Sequence, residues 1–335
     1  MKDKVTTIAD IAKLAQVSKS TVSRAMNDSP LIALETRERI QEIAKLHHFC
    51  LNASARQLTM RESRTIAFVT HGYHKNFSVD DLFTLEIMGG ISRCLHENGY
   101  DMLVIHLDHG QKDWARKYID SGKVAGFILM TSGRKQDQIS ELTRISAPFI
   151  VWGVPKEKHC CNSICGDNYT GGYLAADYLI KKGRKRIAFI GGPTEEGEIQ
   201  MRLEGYQAAL NAAEFPLDTG LLNFGNFSPV SGYRAMDELL TENPGIDGVV
   251  VASDLMALGV IRAIHSHRLQ VPGDIAVVGY DDLSIAKLST PSLTTISQNV
   301  PEAGRLLVQN LLDSLKTGTM KSITLPVEVV VRDSA

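Results

Sequence analysis

TIADIAKLAQVSKSTVSRAMN, residues 7–27, reads as two short helices around a break at Gln16-Val17. Thr7 and Asp10 stand in capping-box spacing, so the Thr7 oxygen can accept a free backbone N–H of the first turn. Ile8, Ile11, Ala12 and Ala15 follow at helical spacing. Ser18 can cap the second helix, with Val22 and Ala25 turned inward. Asn27-Asp28-Ser29-Pro30 is a turn cluster, and a third helix is predicted from Glu35 to Leu46 with Ile40, Ile43 and Ala44 on one face. The first two helices have the spacing of a helix-turn-helix, whose second helix enters the major groove of DNA by its N-terminal part. That helix offers Lys19, Ser20, Thr21, Ser23 and Arg24, short hydroxyls and long cations suited to base edges and phosphates.

The charge distribution agrees. The 335 residues carry a formal net charge of -2, yet residues 1–64 hold eleven Lys/Arg against seven Asp/Glu, and the remainder 25 against 31. A basic head on an acidic body suits a DNA-binding module fused to a sensor. The length predicts two or three domains. No apolar run approaches the ~20 residues that span a bilayer. The opening MKDKVTTIADIAKLA lacks the unbroken apolar core of a secretory signal. A cytoplasmic protein with no membrane partner is expected, its five cysteines reduced. His159, Cys160, Cys161 and Cys165 crowd together without CxxC spacing, and adjacent cysteines chelate one ion poorly, so neither metal nor cofactor is expected.

From about residue 65 short apolar runs alternate with helical stretches. Strands are predicted at TIAFVT (65), DMLVIHL (101), GFILMT (126) and PFIVWGV (148), then at RIAFIGG (186), GVVVAS (248) and IAVVGYD (275). Helices are predicted over Asn168–Lys182, Leu203–Ala213 and Leu255–His267. Nearly all-apolar strands alternating with helices argue for parallel sheets covered on both faces. Two such series argue for two similar lobes with a ligand cleft at the strand C-termini. The expected fold is an all-α helix-turn-helix head on a two-lobed α/β body. The boundaries read as a head at 1–50, a hinge at 51–64 and a body at 65–335. Within the body, one lobe takes about 65–162 and 294–322, the other about 163–293 and 323–333.

The head sequence D-I-A-x-x-A-x-V-S-x-x-T-V-S-R-A-x-N, present almost unbroken, resembles that of the LacI/GalR family of bacterial transcription regulators. The blocks RLEGY, SGYRAM, ASDLMALG, VPGDIAVVGYDD and PSLTTI extend the likeness over 65–332, and such bodies are similar in fold to periplasmic sugar-binding proteins. The resemblance implies that Lys19, Ser20 and Arg24 read bases. It implies that Thr7, Ile8, Ser18, Thr21, Ser23 and Asn27 grip phosphates or order the head. Asn52–Leu58 would form a hinge helix with Asn52, Ala55, Arg56 and Leu58 at the DNA, Leu58 as a minor-groove wedge that kinks the duplex. His48-Phe49-Cys50-Leu51-Asn52 departs from the family's Gly-Tyr-x-Pro-Asn. His48 therefore falls where a left-handed glycine usually ends the third helix, and Ala33 where a serine usually caps it. A looser joint between head and body is expected.

Arg202, Phe227, Ser253, Asp254 and Asp281 stand at or near predicted strand ends. They offer a cation, an aromatic wall and two carboxylates, a set suited to a small polyhydroxylated ligand. Asp254 is equally suited to capping its helix, and Arg202 to a surface ion pair. The resemblance places Arg202, Phe227, Ser253 and Asp281 in contact with effector, Ser253 in place of a frequent asparagine. In the first lobe Phe83 stands in for a degraded Asn-Pro-Phe-Phe, and Val154 replaces a frequent Asp or Arg.

Together these readings predict a DNA-binding repressor, a homodimer on a near-palindromic operator, switched by a sugar or sugar derivative. A nucleobase or a protein partner is the alternative controller, and a solute-binding protein for uptake the alternative class. No GxxxxGK[ST], GxSxG, HExxH or strand-following GxGxxG is present, so an enzyme is not expected. Family members that form tetramers carry an extra C-terminal heptad helix, and the sequence ends instead at EVVVRDSA, so no such tetramer is expected.

Overall fold

A computed structural model describes residues 7–49, 63–71, 82–107, 111, 113–130, 136–154 and 162–335. The chain divides into two compact units, Met1–Ser63 and Arg64–Ala335.

In the first unit, helices α1 (Ile8–Leu14), α2 (Lys19–Met26) and α3 (Leu34–Leu46) pack around Ile11, Ala12, Ala15, Val22, Ala25, Ile40 and Ala44. The Thr7–Asp10 capping box is formed in both directions. Ser18 caps α2 by accepting the Thr21 N–H at 3.1 Å. Ala33 stands at the N-cap of α3 with no side-chain bond, and His48 after α3 has φ +51°. A core this small leaves the head dependent on such caps.

The second unit is built on two six-stranded sheets among the described residues. The first has the order β11-β5-β4-β3-β1-β2, from β1 (Thr65–His71), β2 (Asp101–Leu107), β3 (Gly126–Met130), β4 (Phe149–Trp152), β5 (Ser163–Gly166) and β11 (Ile323–Leu325). The second has the order β12-β10-β9-β8-β6-β7, from β6 (Ile187–Gly191), β7 (Leu222–Phe224), β8 (Gly248–Val251), β9 (Ala276–Asp281), β10 (Thr294–Ser297) and β12 (Glu328–Val330). All pairings are parallel except β10 with β12.

Apolar side chains fill both faces of each sheet. On the first, α4 (Leu82–Glu97) and α12 (Val300–Thr317) cover one face, and α5 (Trp114–Ile119) and α6 (Gln136–Arg144) the other. On the second, α7 (Asn168–Lys181) and α8 (Gly197–Ala212) cover one face, and α9 (Pro229–Glu242) and α10 (Asp254–Ser266) the other. A short α11 (Ser284–Leu288) follows β9.

The lobe boundaries differ from those read in the sequence. Residues 163–166 and 323–325 belong to the first sheet, and 294–297 to the second. The chain crosses between lobes just after β5, β10 and β11. Those strands are three or four residues long, too short for a periodic signal. Helix α8 also begins at Gly197, one and a half turns before the predicted Leu203.

Candidate functional site

On the head, Lys19, Ser20 and Arg24 are exposed along one flank of α2. The Ser18 hydroxyl lies 2.7 Å from that of Ser20 and 2.8 Å from that of Thr21, so these three order one another at the helix start. Asn27 donates from Nδ2 to the Ser23 carbonyl at 2.8 Å and so closes the end of α2. Thr7 is engaged in its capping box, and Ile8 packs against the head core. Ile8, half-buried, thereby helps order the start of α1. Asn52, Ala55, Arg56 and Leu58 lie outside the described residues.

In the body, the candidate effector residues gather at the C-terminal ends of the second sheet. The order 7-6-8-9-10 reverses between β6 and β8, where a ligand crevice opens in such sheets. Arg202 sits in the second turn of α8, inside the helix and not in the loop before it, and it is buried. Its Nε donates to Asn168 Oδ1 at 2.8 Å and its Nη1 to the Ala252 carbonyl at 2.6 Å. The guanidinium carbon lies 3.6 Å from the centroid of the Tyr280 ring. Its pose is possible because α7 and α8 nearly touch: a Cβ on Gly172 would stand 2.0 Å from the Arg202 carbonyl oxygen. Arg202 is thus a held, buried cation and not a surface ion pair.

Asp281 ends β9 with φ +113°, followed by Asp282 at φ +57°. Backbone held there costs of order 1–3 kcal/mol per residue and concentrates at functional sites. Gln298 Nε2 donates to Asp281 Oδ1 at 2.7 Å. Burial pushes the Asp281 carboxyl up to about 7; Arg202 and Gln298 pull it down, and Glu86 from α4 pushes it further up. Phe227, half-buried at φ +65°, stands in the loop between β7 and α9. In the first lobe the Phe83 ring packs 6.0 Å from that of Trp152.

Ser253 and Asp254 are placed differently from the expectation. Ser253 caps α10 by accepting the Met256 N–H at 3.2 Å. Asp254 is 0% exposed; it accepts the Leu283 N–H at 2.8 Å and the Thr295 hydroxyl at 2.5 Å. Burial and then the neighbouring Asp281 raise its carboxyl well above the ordinary range. Each oxygen of Asp254 is bonded within the protein, and the helix cap is Ser253 in its place. Asn168, Tyr280 and Gln298 carry no signal of this role in the sequence. Tyr280 stood one place before Asp281 and Asn168 at a helix start, but only the fold brings them to Arg202.

A helix-turn-helix head joined to a two-lobed body with charged and aromatic groups at the inner strand ends is the build of a ligand-responsive DNA-binding regulator. The chain belongs to the lacI family of bacterial regulatory proteins. The model of that family matches residues 7–52, and the periplasmic binding protein-like domain matches residues 176–335. The HTH-type transcriptional regulator CelR of Thermobifida fusca is 32% identical over 335 residues, covering 98% of each protein. The CelR–cellobiose complex superposes with TM-score 0.75 at 30% identity, covering 98% of this chain and 99% of that one. The Lac repressor dimer bound to operator and the anti-inducer ONPF superposes with TM-score 0.85 at 27% identity, covering 98% of each. No helix among the described residues is long and apolar enough to cross a membrane.

Proposed function

We propose that the chain is a transcription repressor whose operator affinity is switched by a sugar or sugar derivative held between the two lobes. It acts as a homodimer on a near-palindromic operator in the cytoplasm, and it binds its effector without turning it over. The observation that carries the effector class is Arg202, fixed on the Tyr280 ring beside Asp281. A planar cation and a carboxylate at one wall hydrogen-bond vicinal hydroxyls, while Phe227 and the Phe83–Trp152 pair offer flat apolar faces to a ring. Two heads on two-fold symmetric DNA double the phosphate contacts and fix the half-site spacing. The relative CelR is seen with cellobiose, which supports a sugar here.

The test is a thermal-shift screen of the full chain against cellobiose, D-ribose, other sugars, sugar phosphates and nucleobases. A compound at 100 times its Kd stabilises by ~2.7 kcal/mol, a visible shift. The expected hit is a sugar whose effect is lost in Arg202→Ala and in Asp281→Ala and which changes operator binding. A sugar hit that survives both substitutions, or a hit confined to nucleobases, overturns the reading.

A further inference from the structure

The three crossovers between the lobes meet at one point. They are residues 166–168 from β5 to α7, 297–300 from β10 to α12 and 325–328 from β11 to β12. The Asp167 N–H donates to the Leu325 carbonyl at 2.8 Å, joining the first crossover to the third. A Cβ on Gly166 would stand 2.5 Å from Gln298 Oε1 and 3.4 Å from Val327 Cγ1, so the first crossover also lies against the other two. Any rotation of one lobe against the other bends all three segments together.

The two charged effector-facing side chains are both bonded to this junction. Arg202 Nε donates to Asn168 Oδ1, and Asn168 Nδ2 donates in turn to the Gly166 carbonyl at 2.9 Å. Asp281 Oδ1 accepts from Gln298 Nε2. Asn168 and Gln298 are both buried, so water cannot replace these bonds at low cost. Among the described residues, two carboxylates also accept hydrogen bonds across the lobes. Glu86 Oε1 on α4 accepts the Ser284 N–H at 2.8 Å, and Glu198 Oε1 on α8 accepts the Val154 N–H at 2.8 Å.

We propose that Asn168 and Gln298 are positioning residues that tie Arg202 and Asp281 to the interlobe crossovers, so that the same hydrogen bonds set the pose of the effector-facing groups and the closure of the lobes. The idea takes the effector role of Arg202 and Asp281 from the preceding section. Asn168 bonds Arg202 through its oxygen and the Gly166 carbonyl through its amide, while Gln298, itself part of the second crossover, bonds Asp281 through its amide. A change at the wall is then a change at the hinge, with no longer relay required.

Backbone hydrogen exchange on the full chain tests this without any effector. The Val154 and Ser284 amides report closure, because their acceptors lie on the opposite lobe. The Ile128 and Val250 amides, inside β3 and β8, report the integrity of each lobe. Gln298→Met keeps the side-chain length and removes the donor to Asp281. Asn168→Asp keeps the acceptor for Arg202 and removes the donor to Gly166. Both variants are expected to exchange about tenfold faster at Val154 and Ser284, the scale of one lost buried hydrogen bond. Ile128 and Val250 are expected to stay as protected as in the parent. Unchanged protection at Val154 and Ser284 in both variants overturns the proposal, and so does an equal rise at Ile128 and Val250, which marks a general loosening. A failed sugar screen would defeat the effector reading alone and leave this measurement standing.

Discussion

Asp254→Asn isolates the energetics of a carboxyl that the fold holds out of water. The group is 0% exposed, and burial followed by Asp281 raises its carboxyl well above the ordinary range. A carboxyl that titrates higher in the folded chain than in the unfolded one favours folding in its neutral form. Its contribution is complete below the unfolded pKa of about 3.9 and is lost as pH rises toward the folded value. Over that window the loss is about 1.4 kcal/mol per pH unit. Asparagine has the same shape and no charge. Its oxygen can accept the Leu283 N–H, and its amide can donate to the Thr295 hydroxyl, so both existing contacts have a successor. The variant should match the parent near pH 4 and gain on it as pH rises, by at most about 1.4 kcal/mol per pH unit. At ~2–4 °C per kcal/mol for a unit of this size, the Tm advantage should grow by at most roughly 3–6 °C per pH unit. Thermal unfolding at half-unit pH steps reads it directly. A Tm difference that does not change with pH, or one that shrinks as pH rises, would refute the claim that Asp254 is strained by ionisation.

Two predictions concern the head. Ala33→Ser supplies the side-chain cap that α3 lacks, and should stabilise the head by about 1 kcal/mol in thermal unfolding followed by far-UV circular dichroism; no gain would mean that the backbone at residue 33 cannot present a capping oxygen. Lys19→Ala removes an exposed cation from the flank of α2; if Lys19 meets a phosphate, the slope of log K against log salt for operator binding falls by about 1 and all sequences weaken alike. A loss confined to one base position would make Lys19 a base reader instead.

Much of this architecture is legible in the sequence because its signals are local. The head's caps at Thr7 and Ser18 follow from one residue and its neighbours, whereas the missing cap at Ala33 and the left-handed His48 are legible only as departures from the family's pattern. The central strands are legible because both their faces are buried, so they read as unbroken apolar runs. The short strands β5, β10 and β11 carry no such run, and with them the lobe crossings are misread. At the cleft, the chemistry of Arg202 and Asp281 could be anticipated, but not the division of labour between adjacent residues. Ser253 and Asp254 stand side by side at the start of α10, and only the positions of Leu283 and Thr295 turn the carboxylate inward. Asn168 and Gln298 are invisible for the same reason: their meaning lies in contacts with residues 34 and 17 positions away.

The interleaving of the lobes also governs how the chain is made. Helix α4 buries Ile87, Ile91, Cys94 and Leu95 largely against α12, which begins at Val300, and the first sheet gains its edge strand only with Ile323–Leu325. At roughly 5–20 residues per second of synthesis, that apolar helix face emerges on the order of tens of seconds before its partner. The head has every residue of its core within its first 44 positions and can fold as it leaves the ribosome. The first lobe cannot, and its half-built sheet is the segment of the nascent protein that a chaperone would have to shield.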